Sequence, residues 1–118
     1  MALLRVITGP DVGATAEVRE SPVTIGRGID CALQVTDEHV SVVHAVVEPV
    51  DAGFRVRDLE STGGTAVNGK PVLERRLLFG DIITVGETTI VFGSGEETIR
   101  TETVGSAETP LPGDAEVV

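Results

Sequence analysis

Two stretches decide how this chain is read: residues 37–48, DEHVSVVHAVVE, and residues 58–69, DLESTGGTAVNG. The first sets Ser41 three positions before His44 and runs directly into an apolar, β-branched series. The second is a hydroxyl- and glycine-rich loop that leads into Asn68-Gly69. Valine-rich runs bounded by turn residues read as strands. Asn-Gly between TAV and KPV reads as a hairpin, because both residues tolerate the positive φ angles of a type I′ turn.

The same punctuation recurs outward from these stretches. Short segments rich in Val, Ile and Thr lie at 2–7, 14–18, 23–25, 32–35, 45–50, 54–58, 65–67, 82–85 and 88–92. Between them stand GPDVG, GRGID, DAG, STGG, NG, FGD and GE. Gly86-Glu87 suits a type II′ hairpin. Evenly spaced short strands with no 3.6-residue period predict an all-β sandwich. After Phe92 the pattern stops, and the composition turns to Gly, Ser, Glu, Thr and Pro with no aromatic residue. Such a segment buries too little apolar surface to fold alone. The expected organisation is one domain over 1–93 and an acidic, flexible tail over 94–118.

A chain of 118 residues supports one modest core. Its net charge is −10, with 13 acids and 8 bases through Gly93, and 6 acids and 1 base after it. That balance argues against non-specific nucleic-acid binding, which needs clustered Lys and Arg. It also opposes anionic membranes, and no run of eighteen apolar residues is present to span one. MALLRVITG carries Arg5 inside its apolar stretch and no small-residue cleavage site, so no signal peptide is read and the cytoplasm is the default. Cys31 is the single cysteine, which leaves no disulfide framework and no cysteine metal site. Screening beyond about 8 Å still allows one well-placed arginine to hold an anion.

The Ser41/His44 pair invites a hydrolase reading. A nucleophilic serine needs a base, an orienting group and an oxyanion hole. Residues i and i+3 of an extended chain point to opposite faces, and no G-x-S-x-G elbow is present. A histidine that braces a turn is the better reading. His39 and His44, with Asp37 and Glu38 nearby, match no common zinc spacing, so no metal is expected. Arg27, between Gly26 and Gly28 at a strand end, offers a fork of donors suited to phosphate or carboxylate. The STGGT loop at 61–65 can present hydroxyls and backbone N–H groups to an anion.

The order of these features is specific. Gly26-Arg27, Ser41-x-x-His44, Asp58-Leu59-x-Ser61-x-x-Gly64-Thr65, Val67-Asn68-Gly69 and Leu78-x-Gly80-Asp81-x-Ile83 together resemble the forkhead-associated (FHA) domain over about residues 3–93. The resemblance implies an eleven-strand FHA-type (SMAD/FHA) β-sandwich with a phosphothreonine-peptide site in the loops at one end. It assigns phosphate binding to Arg27, Ser41 and Thr62, with Val42, Gly63 and Gly64 also at the ligand, and loop support to Gly26, His44 and Asn68. It implies no enzymatic activity, no cofactor, and a phosphothreonine-bearing partner in bacterial Ser/Thr kinase signalling.

Two positions depart from the family's pattern. Val42 stands where Arg, Lys or Asn is usual, and Gly63 where Asn contacts the ligand backbone. Losing one charged and one neutral hydrogen bond costs on the order of 2–4 kcal/mol, or roughly 30- to 1000-fold in affinity. A degenerate FHA scaffold that makes phosphate-independent contacts is the alternative. The tail carries Thr98, Thr101, Thr103 and Thr109, of which Thr98, Thr101 and Thr103 among glutamates are candidate phosphorylation sites, so the domain's own tail is also a candidate ligand. A short tether supplies an effective concentration of order millimolar.

Overall fold

The computed structural model describes residues 1–95. Eleven strands fill them: β1 Ala2–Thr8, β2 Thr15–Val18, β3 Val23–Gly26, β4 Leu33–Gln34, β5 Ala45–Val50, β6 Gly53–Asp58, β7 Thr65–Val67, β8 Lys70–Val72, β9 Glu74–Leu77, β10 Ile82–Val85 and β11 Thr88–Ser94. They form a six-stranded sheet in the order β2-β1-β11-β10-β7-β8 and a five-stranded sheet in the order β4-β3-β5-β6-β9. The chain is thus an all-β sandwich. Alternating residues of both sheets meet between them, with Leu4, Val6, Ile25, Val47, Val56, Val67, Ile83, Ile90 and Phe92 fully buried. Among the described residues no helix is long and apolar enough to cross a membrane.

The two tight hairpins follow from their turn residues. Asn68 and Gly69 both have positive φ, 52° and 84°, as a type I′ turn requires. At the β10–β11 turn only Gly86 is positive, at 58°, which suits type II′.

Two strands depart from the sequence expectation. β8 lies inside the expected NG hairpin, but β9 is unexpected, because Glu74-Arg75-Arg76-Leu77 has a single apolar residue. It is the outer strand of its sheet and pairs only through β6, with Leu77 facing the core opposite Phe54. Charged side chains on an edge strand discourage pairing with other chains. β11 also runs one residue past the boundary expected at Gly93, because Ser94 pairs with Ala2 at the start of β1. The expected tail, including Thr98, Thr101, Thr103 and Thr109, lies outside the described residues apart from its first two positions.

Register sorts the loops between two poles. Ile25, Ala45 and Asp58 lie side by side, as do Thr65, Val85 and Thr88. The β3–β4, β4–β5, β6–β7 and β10–β11 connections therefore gather at one pole. Val50 beside Gly53, Phe54 beside Leu77 and Ala2 beside Ser94 mark the other.

Candidate functional site

Arg27 leaves the end of β3 where the chain must squeeze past the β4–β5 loop. A Cβ on Gly26 would fall 2.3 Å from the Val42 carbonyl oxygen, so only glycine fits. The Arg27 and Gly28 N–H groups then donate to the Ser41 and Val42 carbonyls at 2.9 and 3.0 Å, stitching the two segments like a short ladder. The Arg27 Nε donates to the Val40 carbonyl at 2.9 Å, which fixes the stem and aims the guanidinium along the loop.

His44 is fully buried beneath that loop. Its Nδ1 accepts the Ser41 backbone N–H at 3.1 Å, and its Nε2 lies 2.7 Å from the Gly64 carbonyl. An N–H can only donate and a carbonyl only accept, so this is the neutral ring protonated at Nε2. One imidazole therefore clamps the β4–β5 loop to the β6–β7 loop. The Ser41 hydroxyl is not its partner; Ser41 Oγ instead accepts the Thr62 N–H at 3.1 Å. The geometry thus lacks the serine–histidine contact that a nucleophile needs. Both ring nitrogens are occupied, which leaves His44 nothing for a metal.

Three carboxylates brace the same pole. Asp58 accepts the Ser61 N–H and hydroxyl and the Thr65 hydroxyl, at 3.1, 2.5 and 2.7 Å, and so closes the STGGT loop on itself. Asp37 accepts the His39 and Glu87 N–H groups, each at 2.8 Å, and the Thr88 hydroxyl at 2.9 Å, tying the β4–β5 loop to the β10–β11 turn. Asp11 takes the Thr36 N–H at 2.7 Å. Burial pushes the Asp37 and Asp58 carboxyls up, but the hydrogen bonds outweigh it and hold both below the usual aspartate value.

Between the braced loops lies an open cleft of about 510 Å³. Arg27, Ser41, Thr62 and Gly63 line it together, joined by Glu38, His39, Val40, Gly86 and Glu87. Three residues of the sequence reading sit elsewhere. Val42 is not on the cleft wall: its side chain is exposed, and its carbonyl faces Gly28 and the Cys31 thiol. Gly64 faces inward, because its N–H donates to Ser61 Oγ at 2.9 Å while its carbonyl meets His44. Of these two glycines, only Gly63 lines the cleft. Asn68 lends its support to the β9–β10 loop. It bonds Asp81 and the Ile82 N–H, both at 2.9 Å, at the opposite pole.

The cleft residues that sequence reasoning missed are Glu38, His39, Val40, Gly86 and Glu87. His39 lies between the two glutamates, 4.0 Å from Glu38 and 3.5 Å from Glu87. The legible signal was strand direction: each tight reversal flips the pole, which puts the Gly86-Glu87 turn beside the start of β7.

A sandwich whose site is built from loops at one pole, with an arginine and a serine on the cleft wall, defines a ligand-binding module. The chain belongs to the FHA-domain family. The family model that matches, over residues 5–96, is described as the inner membrane component of T3SS, cytoplasmic domain, an FHA-like domain. The chain is 38% identical over 79 residues to FHA domain-containing protein FhaA of Mycobacterium tuberculosis, covering 67% of this chain and 15% of FhaA. It is 34% identical over 94 residues to the glycogen accumulation regulator GarA of Mycolicibacterium smegmatis, covering 80% of this chain and 60% of GarA. The chain therefore spans only part of the curated relatives it matches. A solved structure from a study of phosphothreonine-dependent FHA domain interactions superposes with a TM-score of 0.72 at 35% identity, over 78% of this chain and 94% of that one.

Proposed function

We propose that this chain is a phosphothreonine-recognition module that couples a cytoplasmic Ser/Thr kinase, or its substrate, to a partner. The observation that carries the reading is the convergence of Arg27, Ser41, Thr62 and Gly63 on one cleft whose walls are held by His44, Asp37 and Asp58. The Arg27 guanidinium offers a charged fork, and a phosphate brings roughly −1.5 to −2 charge with strong acceptors. Ser41 Oγ accepts from Thr62, which leaves its hydroxyl hydrogen for a phosphate oxygen. The domain acts by binding and carries out no reaction of its own. The unit of recognition is the sandwich, with the acidic segment beyond it as an accessory.

Titration with a phosphothreonine peptide library, against matched unphosphorylated peptides, tests the reading. Phosphate-dependent binding that Arg27→Ala abolishes without lowering the melting temperature supports it. Binding that Arg27→Ala leaves unchanged overturns the site assignment.

A second reading has its own observation. Glu38 and Glu87 stand on the cleft wall and repel an anion, Gly63 offers no side chain, and Val42 and Val43, which follow Ser41, are exposed apolar residues. These features favour a scaffold that makes phosphate-independent contacts. It predicts equal affinity for phosphorylated and unphosphorylated ligands.

A further inference from the structure

All three phenylalanines of the chain, which has no Trp or Tyr, converge at the pole opposite the cleft. Phe92 is buried, with Phe54 edge-on to it at 5.6 Å and Phe79 stacked on it at 5.5 Å. With Leu77, Leu78 and Gly53 they line an open, mostly apolar hollow of about 320 Å³. Leu78 and Phe79 remain 66% and 56% exposed there. Asn68 and Asp81 hold the β9–β10 loop that presents them, since the Leu78 N–H donates to Asp81 and the Gly80 N–H to Phe92. A fixed, solvent-facing aromatic hollow is a docking feature, and the phosphothreonine reading makes no use of it.

We infer that residues 109–114 of the same chain, TPLPGD, seat in this hollow, with Leu111 as the anchor. The segment lies outside the described residues, and four observations select it. The last described strand ends beside the hollow, since Phe92 lies two residues before Ser94. From Ser94 to Pro110 the chain spans up to about 50 Å, ample for a site next to its starting point. Among the few apolar residues beyond Ser94, Leu111 alone is held between two prolines. Their fixed φ angles lower the entropy lost on docking, and aromatic-lined grooves take such proline-flanked segments. Charge is complementary as well: the Arg76 guanidinium lies over Gly53 at the rim, bonded to the Asp51 carbonyl, and Asp114 and Glu116 follow Pro112 closely.

The test uses the full chain with labelled methyl groups, studied by NMR at increasing dilution. Contacts from the Leu111 methyls to the Phe79 and Phe92 rings are expected at every concentration. Leu111→Ser lowers the docking equilibrium roughly 10- to 100-fold, erasing those contacts and shifting the Leu77 and Leu78 methyl signals. Two results overturn the inference. One is Leu111 at random-coil shifts with no effect of Leu111→Ser on Leu77 or Leu78. The other is contacts that grow with concentration alongside a sedimenting dimer, which assigns the hollow to a second copy. Neither outcome depends on phosphopeptide binding at the other pole.

Discussion

Gly63 stands on the cleft wall, where the family resemblance puts an asparagine in contact with the ligand backbone. A Cβ at this position would meet nothing closer than the His39 carbonyl oxygen at 3.8 Å, and its φ lies outside the left-handed region. Gly63→Asn therefore fits without strain. One added neutral hydrogen bond is worth about 1 kcal/mol, so phosphopeptide affinity should rise about fivefold by titration calorimetry. An unchanged affinity would mean that the new amide does not reach the ligand. Gly26 is the opposite case, since any side chain there drives into the Val42 carbonyl. At this scale the sequence was partly legible. Arg27, Ser41 and Thr62 showed polar donors in an ordered spacing, and the fold brings all three onto one cleft. The division of labour between Ser41 and His44 was not visible, because it depends on which atom of serine meets the ring. The turn of Gly64 away from the cleft was hidden for the same reason: its N–H is taken by a hydroxyl three residues earlier.

Elements at the cleft pole are joined by carboxylates. Asp37 links the β4–β5 loop to the β10–β11 hairpin through three donors, and Asp58 closes the β6–β7 loop. Both carboxyls are held below their ordinary value near 3.9, so their contribution to stability is complete above that pH. It is lost as pH falls through the lower folded values. Thermal melting should therefore show no loss from these groups between pH 7 and about 5, and a falling melting temperature below about pH 4. In Asp37→Asn that acid-side slope should be shallower, because one linked carboxyl is gone; an unaltered slope would remove Asp37 from the account. Strand reading from sequence succeeded where β-branched residues cluster, as in β3, β5 and β10. It failed at β9, whose charged residues suit an edge and whose place is fixed by pairing with β6. Glu48, shared by Arg57 and Arg55 at 3.1 and 2.6 Å, shows the same hidden logic across β5 and β6. Cross-strand partners become visible only once register is known.

The whole molecule separates its two working poles by the length of β11. That strand starts beside the cleft at Thr88 and ends at Ser94, about 20 Å away. A threonine beyond Ser94 must therefore travel back along the sandwich to reach the domain's own Arg27. At full extension Thr98 reaches about 13 Å, Thr101 about 23 Å and Thr103 about 30 Å from Ser94. Phosphorylation at Thr103 should compete with an added phosphopeptide, whereas phosphorylation at Thr98 should leave the cleft as open as in the unmodified chain. Competition by semisynthetic proteins carrying each phosphothreonine checks this, and equal competition from both would overturn the geometry. No inspection of the tail's composition could rank these threonines, because the ranking comes from the direction in which β11 leaves. The pairing of Ala2 with Ser94 has a mechanical consequence too. Both flanks depart side by side, so tension between them opens the β1–β11 ladder one pair at a time, like a zipper. The tear starts at the hollow and reaches Thr8 and Thr89, behind the cleft, last; under load the recognition loops are the final part to let go.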